Sequence, residues 1–89
     1  MKPTFETSLK YFYECLNHSA IRNSQEKKAM TYNNMGSVFL DWNKLDSAKI
    51  YYLKALEYYS STNIITIKSM IYANLGSVNY KEKNYDEAY

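Results

Sequence analysis

The sequence predicts an all-α protein of stacked antiparallel helix pairs, and three observations carry that expectation. The chain repeats itself at an offset of 40 residues: Lys28, Met30, Tyr32, Asn34, Gly36, Ser37 and Val38 recur as Lys68, Met70, Tyr72, Asn74, Gly76, Ser77 and Val78. Five further identities lie at the same offset, pairing Tyr11, Leu16, Asn23, Asp46 and Ala48 with Tyr51, Leu56, Asn63, Asp86 and Ala88. Within the repeat, Tyr32, Met35, Gly36 and Phe39 follow the i, i+3, i+4, i+7 spacing of one helical face, and Ala48, Tyr52 and Ala55 do the same in the next segment. Only 2 Gly and 1 Pro punctuate 89 residues, so most of the chain is regular structure.

Each unit reads as two helices, at about 4–20, 24–42, 45–61, 64–82 and 85–89 within one domain spanning 1–89. Asn23 and Asn63 stand just before apolar-periodic segments as N-caps. Glu26, three residues after Asn23, is placed to complete a capping box. Trp42-Asn43-Lys44 and Lys83-Asn84 read as the short turns inside the helix pairs. Phe5 to Leu16 parallels Leu45 to Leu56, so the first helix corresponds to the second helix of a unit. The chain then holds 89/40, or about 2.2, units, beginning half-way through one repeat and stopping inside another.

Composition excludes several classes of function. Hydrophobic residues make up 46%, too many for a disordered chain. Eleven Lys+Arg against nine Asp+Glu leave a net charge of +2, too weak and scattered to argue for nucleic acid or a membrane surface. No stretch approaches the roughly 20 apolar residues of a membrane span, and residues 1–10 lack the apolar run of a signal peptide. The single Cys cannot form an internal disulfide, so a reducing, cytoplasmic setting is expected.

At Tyr32, Met35-Gly36, Phe39, Ala48, Tyr52 and Ala55 the chain resembles the tetratricopeptide repeat family, whose unit is a helix–turn–helix. Tyr32 takes the Trp place of that pattern, Met35-Gly36 the Leu-Gly, Phe39 the Tyr, and Ala48, Tyr52 and Ala55 the Ala, aromatic and Ala of the second helix. Tyr72, Leu75-Gly76 and Ala88 fit the next unit, where Asn79 departs from the aromatic and Tyr80 takes its place by a small rotation. Ser8, Phe12 and Cys15 fill the Ala, aromatic and Ala places of the leading half-unit. A period of 40 rather than 34, and Ser60 in place of the terminal Pro, make it similar to the longer units of kinesin light chains, spindle-orientation adaptors and bacterial peptide-pheromone receptors.

The resemblance implies a solenoid of antiparallel helix pairs, an α-α superhelix whose first helices line a concave groove, and a scaffold that binds proteins or peptides without catalysis. In the longer-unit relatives an Asn just before the Leu-Gly step forms a ladder on an extended peptide's backbone. Asn34 and Asn74 hold that place, and an amide side chain offers the acceptor and donors a peptide group needs. Asn33 beside Asn34, Ser37 and Ser77 at i+3, and Asp41 and Lys81 at i+7 complete the candidate partner-binding set. The other reading of the two asparagines is solvation, or a bridge between adjacent helices.

The remaining residues are read as structural. Most of the eleven tyrosines sit at core spacing, with Tyr32, Tyr52 and Tyr72 expected between helices, while Tyr51 and Tyr58 or Tyr59 are left for a neighbouring repeat or solvent. Cys15 and His18 are three residues apart, but nothing supplies the orienting group or oxyanion device a nucleophile needs. One Cys and one His without clustered ligands hold no metal, and no Gly-rich loop cradles a phosphate, so no cofactor is expected. Arg22 with Lys27-Lys28 reads as a solvated basic face. Two alternatives to peptide binding stand: an effector-binding segment of a larger sensory regulator, and a self-associating structural module. About three stacked units are usual for stability, so the apolar faces of the first helix (Phe5, Leu9, Phe12, Leu16) and of the fourth (Tyr72, Leu75, Val78) are expected to pair between copies.

Overall fold

A computed structural model describes residues 4–59 and 65–88, and every regular element among them is helical. The order is α1 (Phe5–Asn17), α2 (Ser19–Arg22), α3 (Gln25–Asp41), α4 (Leu45–Tyr59) and α5 (Ile65–Ala88). α3 and α5 begin 40 residues apart, as do α1 and α4, so the period in the sequence is the period of the fold. The most extensive packing joins α3 to α4; α1 and α5 lie against this pair, and α2 links α1 to α3.

Local chemistry sets most of the boundaries. The Thr4 hydroxyl accepts the Thr7 N–H at 3.1 Å and starts α1. α1 stops at His18, whose extended backbone ends one helix and whose Nδ1 accepts the Ala20 N–H to begin α2. The expected single helix over 4–20 is therefore broken at His18. The expected Asn23 cap also moves. The Asn23 N–H is spent on Ser19 at the end of α2, and the Ser24 hydroxyl accepts the Lys27 N–H to start α3. A box with Glu26 does not form, because that residue now falls second in the helix; there its charge favours the helix N-terminus. The Asn63 cap falls outside the described residues.

The turn at Trp42-Asn43-Lys44 follows the expected line and has a specific geometry. Asn43 adopts φ of 60°, its N–H donates to the Leu40 carbonyl, and the Lys44 N–H reaches back to Phe39 at 2.9 Å. This is a Schellman ending with Asn in the left-handed position, a role that Asn fills better than any other non-glycine residue. The matching turn at Lys83-Asn84 is absent: α5 runs through it as one helix of 24 residues, and residues 85–88 continue α5 instead of opening a new helix. The residue 40 after Asn43 is Lys83, which has no such tolerance for the left-handed region.

The core is a single cluster of Leu9, Ala29, Met35, Phe39, Ala48, Tyr52, Ala55, Ile71 and Val78, with Phe12, Leu16 and Leu75 packed against it. Leu9, Phe12 and Leu16 thus face inward, and Phe5 stacks on Trp42 with centroids 5.4 Å apart. The apolar face of α1 expected to be open is covered, because it is the face with which a second helix meets the first helix of the following unit. Tyr72 was expected between helices, and it is 62% exposed; Tyr80, expected to stand in for the missing aromatic, is 69% exposed. The corresponding face of α3 is buried by α4, and no described helix lies across this face of α5. α5 instead anchors through Ile71, Leu75 and Val78.

Candidate functional site

The close approach of α3 and α4 is made by one glycine. A Cβ built on Gly36 would stand 2.7 Å from Cδ1 and 2.8 Å from Cε1 of Tyr52. The Tyr52 ring is fully buried, and its hydroxyl is held 2.9 Å from the Ser37 hydroxyl. Burial raises the Tyr52 pKa, opposed in part by the Ser37 hydrogen bond. Ser37 is half-buried and committed to this packing.

Asn33 is 5% exposed, and its Oδ1 accepts the Asn74 Nδ2–H at 3.0 Å. The amide pair ties α3 to α5 and satisfies a buried polar group. Asn33, included among the candidate contacts, is therefore a bridge between helices, and the half-buried Asn74 has one of its polar ends occupied. Asn34 is exposed, as are Asp41 and Ser77; Lys81 is half-buried. The Ser77 hydroxyl donates to the Ala73 carbonyl at 3.3 Å. The two asparagines at matching repeat positions are thus unlike: Asn34 is open and Asn74 is engaged.

Helix geometry nevertheless brings the exposed members to one side. α3 and α5 are parallel, since a single antiparallel helix separates them, and they face each other at Asn33 and Asn74. One residue forward on α3 turns by roughly 100°, and three residues forward on α5 turn by about 60° the other way. Opposite turns from facing positions lead to the same side, so Asn34 and Ser77 share a surface with Asp41, Met30 and Met70.

A second constellation lies between α1, α2, α3 and α4, and the sequence reading did not assemble it. Tyr13, Tyr32, Tyr51 and Tyr58 line a cavity of ≈ 440 Å³ together with Arg22, Lys28 and Lys54. Tyr32 stacks on Tyr51 at 6.0 Å and on Tyr58 at 5.4 Å. The Tyr13 and Tyr51 hydroxyls are 2.6 Å apart, and Tyr32 hydrogen-bonds Tyr58. Lys28 Nζ rides over the Tyr58 ring at 5.4 Å, and Lys54 Nζ over Tyr32 and Tyr51 at 5.6 and 5.8 Å, within cation–π range. Burial and the hydrogen bond to Tyr13 push the Tyr51 pKa up to about 12; burial, then the neighbouring Tyr58, raises that of Tyr32. The i, i+4 pairs Lys28–Tyr32 and Lys54–Tyr58 were visible signals, but only folding joins them to Tyr13, 38 residues before Tyr51.

Among the described residues no three His, Cys, Asp or Glu side chains converge as a metal site, and no helix is long and apolar enough to cross a membrane. The His18 Nδ1 is occupied as a cap, and the Cys15 thiol hydrogen-bonds Tyr11, whose pKa it raises.

No curated protein sequence and no solved structure matches the chain. A family model described as tetratricopeptide repeat matches residues 29–62. That span contains Gly36 and the Tyr52 ring it admits, the Asn43 turn, and the small residues Ala48 and Ala55 of α4. The 40-residue spacing carries through the flanking helices, so residues 29–62 form a tetratricopeptide-type helix pair within an all-α, tetratricopeptide-like fold.

Proposed function

We propose that the chain is a scaffold that holds an extended segment of a partner protein along the side shared by α3 and α5. Tetratricopeptide repeats mediate protein–protein interactions, which supplies the general class. The observation that carries the finer reading is the Asn33–Asn74 hydrogen bond, which ties α3 to α5 next to the exposed Asn34 and Ser77. Asn34 keeps both amide ends for a peptide group, while Met30 and Met70, both exposed, offer adaptable apolar contact beside it. Opposite charges on Asp41 and Lys81, two helix turns beyond Asn34 and Asn74, give the surface a direction along which a peptide is oriented. The test is selection from a peptide display library followed by calorimetric titration. Selected peptides should lose about tenfold in affinity with Asn34→Ala, near the 1.4 kcal/mol of one good hydrogen bond. Peptides indifferent to both Asn34→Ala and Ser77→Ala would overturn the reading.

Self-association is the second reading, favoured by one specific observation. Gly76 repeats Gly36, yet nothing lies within 4 Å of a Cβ built on it. The α1 residues matching the α4 face that fills Gly36 are Ser8, Phe12 and Cys15, and Ser8 and Phe12 line an open cavity of ≈ 250 Å³ with Thr7 and Tyr11. The half-buried Phe12, packed on the core with one edge in this cavity, set over Gly76 of another copy is a head-to-tail contact, which closes into a ring or extends as a stack. Sedimentation velocity over a concentration series checks it: Gly76→Leu should abolish a concentration-dependent species, and a monomer at every concentration would exclude it.

A further inference from the structure

We propose that the tyrosine-lined cavity between α1, α2, α3 and α4 is an anion site that takes a phosphate monoester. The inference concerns a different surface from the α3–α5 side and stands independently of the peptide reading.

Charge is the first argument. Three cationic side chains, Arg22, Lys28 and Lys54, line one cavity, and among the described residues no Asp or Glu lines it. Glu57, exposed on α4, is the acidic group near enough to Tyr32 to raise its pKa, so the site keeps an excess of positive charge. Low-dielectric aromatic walls concentrate the field of such a cluster.

Donor count is the second argument. Four tyrosyl hydroxyls form two pairs, Tyr13 with Tyr51 and Tyr32 with Tyr58. In the Tyr13–Tyr51 pair one hydroxyl hydrogen is shared and the other is left to donate outward. That hydroxyl, two ammonium groups and one guanidinium exceed what a carboxylate's two oxygens use, and they suit the three terminal oxygens of a phosphate monoester.

Pre-organisation is the third. The lysine stems lie across aromatic faces, and Tyr32 is clamped between Tyr51 and Tyr58. Less side-chain freedom is lost on binding when the rings and ammonium groups are already placed.

The experiment is nitrogen–proton correlation NMR of the whole chain, titrated with O-phosphoserine, phenyl phosphate, glutamate and sodium chloride at matched ionic strength. Saturable shifts with the two phosphate monoesters, confined to the end of α1, α2, the start of α3 and the end of α4, are expected. Lys54→Gln and Arg22→Gln, both at exposed side chains, should each weaken binding about tenfold while leaving the rest of the spectrum unchanged. Tyr13→Phe should weaken it less, because it removes one donor and no charge. Equal shifts with glutamate or chloride, or unchanged affinity in Lys54→Gln, would overturn the assignment. A phosphoserine peptide binding at least tenfold more tightly than O-phosphoserine identifies a phosphorylated protein segment as the source. Equal affinity identifies a small phosphorylated molecule. Either result supports the phosphate chemistry.

Discussion

Two glycines followed by the same Ser-Val do opposite work. Gly36 sits where a methyl group would meet the Tyr52 ring at 2.7 Å, and that ring is held by burial and by Ser37, so it cannot swing away. Gly36→Ala gains about 0.5–1 kcal/mol of helix propensity and loses more to overpacking, ~1–3 kcal/mol. A net loss of roughly 1 kcal/mol in urea unfolding is expected. Gly76 meets nothing, so Gly76→Ala should keep the propensity gain and stabilise by about 0.5–1 kcal/mol. A Gly36→Ala variant more stable than the parent would contradict the close approach. The Leu/Met-Gly motif was legible in the sequence at both places, but its environment was not: motif identity records what a residue can pack against, and only the structure shows whether the partner is there. The asparagines teach the same point. Asn34 and Asn74 match in the repeat, yet the amide that α5 uses to reach α3 finds Asn33, one residue away from the repeat partner.

Helix ends explain where the reading of elements succeeded. Apolar periodicity placed the beginnings of α1 and α3 and the turn before α4 within a residue or two, but the caps themselves, the Thr4 and Ser24 hydroxyls, were not the one read at Asn23. Internal symmetry misled the reading at residues 83–84, because it transferred a turn without its enabling residue. The turn therefore depends on Asn43 itself. Asn43→Gly should be neutral or mildly stabilising, and Asn43→Val should destabilise by ~1–2 kcal/mol, the penalty for a side chain in the left-handed region. The thermal midpoints of the two variants test this, with equal midpoints counting against it. Lys83→Gly is the converse experiment. It supplies the freedom that Lys83 lacks and should lower the helical circular dichroism signal of α5 through its last turn.

At the scale of the molecule, the tyrosine cluster is what joins α1 to the α3–α4 pair away from the aliphatic core. Its members come from three helices, so no window of sequence contains it. Its effect on stability has a definite sign. Tyr51 titrates near 12 in the fold because of burial and its bond to Tyr13, and Tyr32 and Tyr52 are also raised, whereas an unfolded tyrosine titrates near about 10. Below about pH 10 both states hold these protons, and the contribution is constant. Above it the unfolded chain releases protons that the folded chain retains, so stability falls as pH rises from about 10 through about 12. Urea midpoints should therefore be flat from neutral pH to about pH 9.5 and then decline. Phenolate absorbance should show a late phase near pH 12 from Tyr51. Tyr51→Phe cannot ionise, so it should flatten the alkaline decline, and Tyr13→Phe should bring the late phase earlier by removing the hydroxyl partner. A decline of the same steepness in Tyr51→Phe and the parent would mean that the alkaline sensitivity resides elsewhere. A flattened decline would identify the paired hydroxyls of α1 and α4 as the contact through which these helices respond to pH.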